Sequence, residues 1–397
     1  MSKKHVILRI APEGGHESFR GRTRPAGPTA VLPAVSAVEV EVESLELRDI
    51  PRVMRENDVV AVAPVMPMKL IAPVPMQAIA EPAAGGITWG VKAVGADTSP
   101  FSGNGVVVSV LDTGIDASHP AFAGVQIVQK DFTGEGDGDE HGHGTHCAGS
   151  IFGRTVENTR IGVAPGVKKA LIGKVLGTRG GSSDQIVKAI QWAVDNGANV
   201  ISMSLGIDFP GLVKELQDEG FPPELATSVA LEGYRANVLL FERLASLIRA
   251  QAPMVQTALL VAAAGNESRR NVRPDFEIAV SPPAVAEGVV SVAAIGEGPQ
   301  GFTIAPFSNV GAVVSGPGVG VLSARRGGGL TSMNGTSMAT PHVAGVAALW
   351  AEKLKNQNQL NPVNLSTRLI AFATTEGLKT GFDPADVGSG LVRAPQE

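Results

Sequence analysis

Three short apolar runs constrain this chain more than any other feature. Val106–Leu111 stops at Asp112-Thr113-Gly114, Val200–Leu205 stops at Gly206, and Leu259–Ala264 stops at Gly265-Asn266. A strand with one wet face alternates apolar and charged or strongly polar residues, so a run interrupted only by small serines reads as a strand buried on both faces. Helical patterns lie between these runs. Ser183–Asn196 sets Ile186, Ile190, Ala193 and Val194 on one face, with Ser183 or Asp184 as cap and Gly197 as stop. Strands alternating with helices predict an α/β fold with a doubly wound, mostly parallel sheet flanked by helices. Such sheets bind ligands beyond the carboxyl ends of their strands, where these runs stop.

The first part of the chain reads differently. Val38, Val40 and Val42 alternate with Glu39, Glu41 and Glu43, the period-two pattern of a half-buried strand. Ile50–Asn57 predicts a short helix and Val59–Val62 a second strand, while the Pro-, Gly- and Arg-rich Arg20–Pro33 predicts a loop. Met66–Ala84 carries Pro67, Pro73, Pro75 and Pro82. Proline cannot donate to a sheet ladder and stiffens an extended chain, so this stretch predicts a linker. The expected organisation is a small α/β domain over residues 1–70, a proline-rich linker over 71–86 and a larger domain over 87–397, with a helical insertion at about 207–256.

Composition then excludes several classes. Cys147 is the single cysteine, so an intrachain disulfide framework is ruled out. A net charge of −5 offers no electrostatic footprint for nucleic acid. Val6–Leu8 is too short for a signal-peptide core, and no apolar run is long enough for a membrane span, so no membrane partner is expected. These features predict a cytoplasmic protein, or a secreted one if a leader has been trimmed.

Three segments bring chemistry-bearing residues into turns. Asp112 ends a buried strand before Gly114; His141, His143 and His146 crowd into His141-Gly-His143-Gly-Thr-His146-Cys147-Ala-Gly149; and Ser337 stands in Asn334-Gly-Thr-Ser337-Met-Ala-Thr-Pro341-His342-Val-Ala-Gly345, ahead of a long helical pattern. A helix N-terminus favours developing negative charge, and Pro341 near the helix start loses little by lacking an N–H. The histidines admit two readings: one of them as a general base, or His141, His143 and His146 together as metal ligands of a hydrolase.

Taken in the order Asp, His, Ser, these motifs resemble those of the subtilisin-like serine proteases, the subtilases, from about Trp89 to Val392. The resemblance implies an endopeptidase acting through an acyl-enzyme, with Asp112 as orienting acid, His143 as general base and Ser337 as nucleophile. It implies Asn266 as oxyanion donor beside the Ser337 backbone N–H. It also implies that an extended peptide pairs with Ser204-Leu205-Gly206 on one side and Gly180-Gly181-Ser182 on the other. Ala263, Ala264 and Gly265, with Ser281 near the base, would wall the primary pocket, which carries no charge and suits an apolar or medium-sized side chain. Pro282-Pro283 falls where the family has a cis peptide. His146 and His342 take packing roles, and His141 borders the next pocket. Asp139 and Glu140 form a solvated acidic loop or favour a basic substrate residue, and Cys147 is a buried thiol that mercurials could reach.

No cofactor is implied for the chemistry, and no metal ligand is assigned. A structural calcium is common in the family, but the residue after His119-Pro120 that would ligate it is Ala121. The N-terminal strand–helix–strand pattern resembles the subtilase propeptide. It implies an intramolecular inhibitor whose tail crosses the groove and is cut somewhere in Met68–Ala84. The segment between Leu205 and Asn266 is longer than in short family members and reads as an αα-hairpin that shields the groove, binds a partner or is a passive insertion. The expected partner is a peptide or protein substrate, and a subtilase dedicated to processing or cyclising one peptide is the alternative.

Overall fold

The computed structural model describes residues 2–10, 38–75, 85–252 and 256–397 of the 397. The expected Arg20–Pro33 loop and residues 76–84 of the linker lie outside the described residues.

Strands β1 (Lys3–Ile10), β2 (Val38–Leu45) and β3 (Val59–Pro64) form an antiparallel sheet in the order β2-β1-β3, with the single-turn helix α1 (Ile50–Val53) between β2 and β3. The central strand β1 was not read from the sequence, because Lys3 and Lys4 interrupt its apolar pattern at the outset. Arg9 of β1 ties the sheet to its loops through ion pairs with Glu41, Glu56 and Asp58.

The proline-rich stretch departs from expectation. Pro67–Leu70 is not a linker but a strand, β4. Its proline stands at the first position, where a missing N–H leaves the rest of the ladder intact.

Along the rest of the chain come β5 (Val107–Asp112), β6 (Gln126–Asp131), helix α2 (His143–Phe152), β7 (Lys169–Lys174), β8 (Gly181–Ser182) and α3 (Ser183–Asp195). There follow β9 (Val200–Met203), β10 (Leu205–Ile207), helices α4 (Phe209–Asp218) and α5 (Pro223–Gln251), and β11 (Leu259–Ala263). Further on are β12 (Val289–Gly296), β13 (Thr303–Ile304), β14 (Val314–Pro317) and α6 (Thr336–Asn356). The main sheet runs β13-β12-β11-β9-β5-β7-β6, with β14 also on β12. Every pairing in it is parallel except that of β13. Every residue of β9 and β11 is buried, as such apolar runs require of a sheet covered on both faces. One core, including Val108, Val261 and Val346, packs α2 and α6 on one face; a second, including Leu171, Ile190 and Phe241, packs α3 and α5 on the other. Helix α3 opens with a capping box in which Ser182 and Gln185 satisfy each other's backbone N–H groups.

The apolar run at 200–205 breaks into two strands at Ser204. β9 stays in the main sheet, and β10 leaves it to pair with β4. The insertion folds as the α4–α5 hairpin. Helix α5 packs on β3, where Asn237 donates to the Pro64 carbonyl at 2.8 Å, and Phe241 and Leu244 join the core beside Met66. No helix among the described residues is long and apolar enough to cross a membrane.

Candidate active site

Strand β5 delivers Asp112 and helix α2 begins with His143, so the two meet at the carboxyl end of the sheet. Asp112 is 1% exposed and His143 fully buried; Asp112 Oδ1 lies 2.7 Å from His143 Nδ1. Two glycines permit this approach: a Cβ on Gly144 would stand 2.1 Å from the Gly114 carbonyl, and one on Gly114, at φ 108°, would stand 2.0 Å from that of Gly138. Burial alone lowers the His143 pKa, but the charge of Asp112 overrides it and raises the imidazole well above its ordinary value.

Asp139 corrects the picture of a solvated acidic loop. It is buried and accepts hydrogen bonds from the Thr113 and Thr145 hydroxyls and from the His141, Gly142 and Thr145 N–H groups. Burial opposes its ionisation, yet these donors hold its pKa below the ordinary carboxylate value. Thr113 in turn accepts from the Gly144 N–H, so Asp139 braces the loop that carries His143. Glu140 is exposed and pairs with Arg326 at 2.9 Å.

The three histidines do not converge on a metal. His146 is buried with Nε2 on the Val321 and Thr331 carbonyls, and burial pushes its pKa down to about 3. The His141 ring lies 6.2 Å from that of His143, edge-on, and lines a cavity of about 510 Å³ with Leu70, Leu176 and Gly180. Among the described residues, the metal-capable cluster is Asp112, His143 and Cys147. A cation there would compete with the Asp112–His143 hydrogen bond.

Ser337 stands at the second position of α6, fully buried. Pro341 lies inside that helix rather than at its start, so the Ser337 carbonyl has no helical N–H partner. Ser204 Oγ at 3.3 Å and Cys147 Sγ at 3.4 Å take its place, and Cys147 Sγ also lies 3.7 Å from His143 Nδ1. The thiol thus sits between the two candidate catalytic residues, and its burial raises its pKa. Ser204 and Cys147 as holders of this carbonyl were missed by sequence reasoning; the signal was Pro341, four residues after Ser337.

Asn266 is oriented by Thr336, whose N–H and hydroxyl both donate to its Oδ1 at 2.9 Å, leaving Nδ2 to point outward. Thr336 was also missed, although it adjoins Ser337. Gly265 needs its glycine: φ is 116°, and a Cβ would stand 2.2 Å from Asn309 Nδ2. Ala263 and Ala264 are buried beside it, Ser281 Oγ lies 3.1 Å from where a Gly206 Cβ would be, and Pro282-Pro283 is cis.

The groove between β8 and β10 is filled by the chain itself. β4 is the middle strand of a three-stranded antiparallel sheet, pairing with Gly181 and Ser182 on one side and with Leu205, Gly206 and Ile207 on the other. Ile71 N donates to the Ser204 carbonyl at 3.4 Å, and Val74 exchanges hydrogen bonds with Asn334. At the centre Ser337 Oγ donates to the Ile71 carbonyl at 2.8 Å, and Asn266 Nδ2 donates to the Ala72 carbonyl at 3.0 Å. His143 Nε2 and Asp112 Oδ2 are buried without a hydrogen-bond partner.

A buried Asp–His pair, a helix-borne serine and an outward-facing asparagine at the end of a parallel sheet are an arrangement that can perform serine-type hydrolysis. Comparisons with known proteins give the family. Residues 103–389 match the model of the Subtilase family. The alkaline elastase YaB of Bacillus sp. (strain YaB) is 37% identical over 318 residues, 78% of this chain and 69% of that protein. An intracellular serine protease of Paenibacillus polymyxa is 33% identical over 300 residues, 73% of this chain and 79% of its own. Subtilisin Savinase of Lederbergia lenta is 33% identical over 317 residues, 78% and 97%. The chain belongs to the subtilase family and is a subtilisin-like serine endopeptidase.

Proposed function

We propose that this endopeptidase works through Asp112, His143, Ser337 and Asn266, and that its own residues 67–74 hold it shut by lying in the groove as a substrate would. Ser337 Oγ attacks the peptide carbonyl carbon while His143 Nε2 takes its proton. Asp112 holds the imidazole tautomer through Nδ1 and stabilises the imidazolium. The tetrahedral oxyanion accepts from Asn266 Nδ2 and the Ser337 N–H. Collapse expels the amine with the proton from His143, and water then hydrolyses the acyl-enzyme by the same exchange. Substrate backbone adds as a strand between Gly180–Ser182 and Ser204–Gly206, and the pocket walled by Ala263, Ala264, Gly265 and Ser281 takes an apolar side chain.

The observation that carries the reading is the strand β4 with its Ile71 carbonyl on Ser337 Oγ. Attack needs one carbonyl to meet both the nucleophile and the oxyanion donor. Here Ile71 meets Ser337 while Ala72, the residue before Pro73, meets Asn266, so the segment rests in the groove uncut. Activation is cleavage of the chain within Met68–Ala84, after which the N-terminal sheet leaves.

The test is intact mass and casein hydrolysis of the wild type beside Ser337→Ala. Wild type is expected to lose its N-terminal region and to hydrolyse casein, and Ser337→Ala to stay at full length and inactive. Proteolysis retained in Ser337→Ala overturns the assignment of the nucleophile. An active wild type that keeps its full length overturns self-cleavage.

A further inference from the structure

Lys69 is the β4 residue that pairs with Gly206. Its ammonium lies 3.3 Å from Asp208 Oδ1 and 3.6 Å from Glu267 Oε1. Each carboxylate has one anchor outside β4. Asp208 caps α4 by accepting the Gly211 N–H, and its own N–H donates to the Pro67 carbonyl. Glu267 follows Asn266, and its Oε2 accepts from Asn309 Nδ2 at 2.8 Å. Among the described residues neither carboxylate makes another ion pair. Lys69 and Asp208 also line the cavity of about 510 Å³ beside His141, and its other cations, Lys174 and Arg179, act on Glu135, whose pKa the Thr178 hydrogen bonds and these charges lower.

We infer that Asp208 and Glu267 form an acidic clamp that selects substrates with Lys or Arg at the third residue on the amino side of the cut bond. The register follows from the carbonyl over the nucleophile: if Ile71 marks the residue before the cut, Lys69 is the third back. The inference rests on the reading of residues 67–74 as occupant of the substrate groove. The clamp sits on the α4 cap and on the residue after the oxyanion donor, so an incoming basic side chain meets two carboxylates that are already placed. Lys69, Asp208 and Glu267 keep 36%, 32% and 39% of their side-chain surface exposed, so the selection is moderate.

Two measurements test this. In the uncut Ser337→Ala chain, Lys69→Glu is expected to speed amide exchange of residues 67–74, and adding Asp208→Lys to restore protection. Unchanged exchange overturns the clamp, and this arm needs no catalysis. In the second, activated wild type is given octapeptides differing only in Lys or Glu at the third residue, with the cut mapped by mass. A Lys preference of about five- to tenfold in kcat/KM is expected, falling to about twofold or less in the Asp208→Asn/Glu267→Gln variant. Cleavage without preference, or with the same preference in the variant, overturns the clamp as a specificity determinant. Cleavage of no peptide at all refutes the endopeptidase reading instead, and reduces the clamp to a latch on the chain's own strand.

Discussion

The Ser337 hydroxyl donates to the Ile71 carbonyl at 2.8 Å, which leaves the buried His143 Nε2 without a partner. The Ser337 hydroxyl proton is therefore held by the chain's own backbone rather than by His143. Most of the hold is backbone pairing, but Met68 is 2% exposed and anchors β4 in the core. Truncating a buried methionine costs about 2–5 kcal/mol, part of which falls on the closed state. Met68→Ala in the full chain is therefore expected to raise the initial rate on a fluorogenic peptide by about tenfold or more. An initial rate equal to that of wild type would count against the segment as the element that holds the site shut.

The coupling of Asp112 to His143 sets a pH limb. A general base must be neutral, and burial and the Asp112 charge together leave His143 with a pKa well above its ordinary value. Activity therefore rises with pH through that raised value, and the acid limb of kcat/KM lies above about 6.5. The stability sign is the opposite: this pair stabilises the fold below about pH 6.5 and ceases to as pH rises through the folded value. Asp112→Asn removes the raising charge. It is expected to move the limb downward and to lower kcat by about 10⁴-fold. A limb that stays in place in Asp112→Asn refutes the coupling.

Asn266 is held by Thr336 so that Nδ2 faces the groove. In a subtilisin, loss of such an asparagine donor costs about 10²–10³ in kcat, a range that family membership extends to this chain. Asn266→Ala in activated enzyme is expected to fall in that range with KM little changed. Thr336→Val keeps the shape but frees Asn266 Oδ1 from the hydroxyl, so a smaller loss, again in kcat, is expected. A loss confined to KM would place Asn266 in substrate binding alone.

How much of this was legible in the sequence follows from the range of each interaction. The runs at 107–112 and 259–263 became central strands because burial on both faces is written locally in apolar residues, interrupted within the first run only by the buried Ser109 before Asp112. Asp112, His143 and Ser337 stood out as candidates because each lies next to glycines at a strand end or a helix start. β4 was misread because proline composition speaks for a linker, whereas its strand state depends on partners at 181–182 and 205–207, far along the chain. The roles of Asp139, Ser204 and Thr336 were likewise invisible. A side chain that satisfies a distant backbone group leaves no periodic signal.

An arginine lies beside Ala121, the position where the resemblance places a calcium ligand. Ala121 is buried and offers no side-chain oxygen, and its carbonyl accepts the Arg154 N–H. The Arg154 guanidinium donates to the carbonyls of Phe152, Pro165 and Val167, tying together the loop after α2. A fixed cation thus satisfies carbonyls in this region. Chelation with EDTA is expected to leave Tm unchanged. Arg154→Ala, which orphans those carbonyls, is expected to cost about 2–3 kcal/mol and lower Tm by several degrees. A Tm that falls with EDTA but not with Arg154→Ala refutes this account.

Acid should unfold the protein through two buried histidines whose rings are held by backbone carbonyls. His146 and His342 are fully buried, and burial lowers their pKa values to about 3 and about 4. The unfolded chain binds protons at both near pH 6.5, and the folded chain does not until much lower. Their contribution is therefore complete above about pH 6.5 and is lost as pH falls toward the folded values. Each group carries a slope of roughly 1.4 kcal/mol per pH unit. Between about pH 6 and 5 most carboxylates remain ionised in both states and each unfolded histidine is on average roughly nine-tenths protonated, so the unfolding free energy of Ser337→Ala, which cannot digest itself, should fall by roughly 2.4 kcal/mol per unit. Denaturant titrations across that window measure the slope directly. A value near zero means that these histidines take up protons in the folded state and that the polar groups around them rearrange to accept the charge.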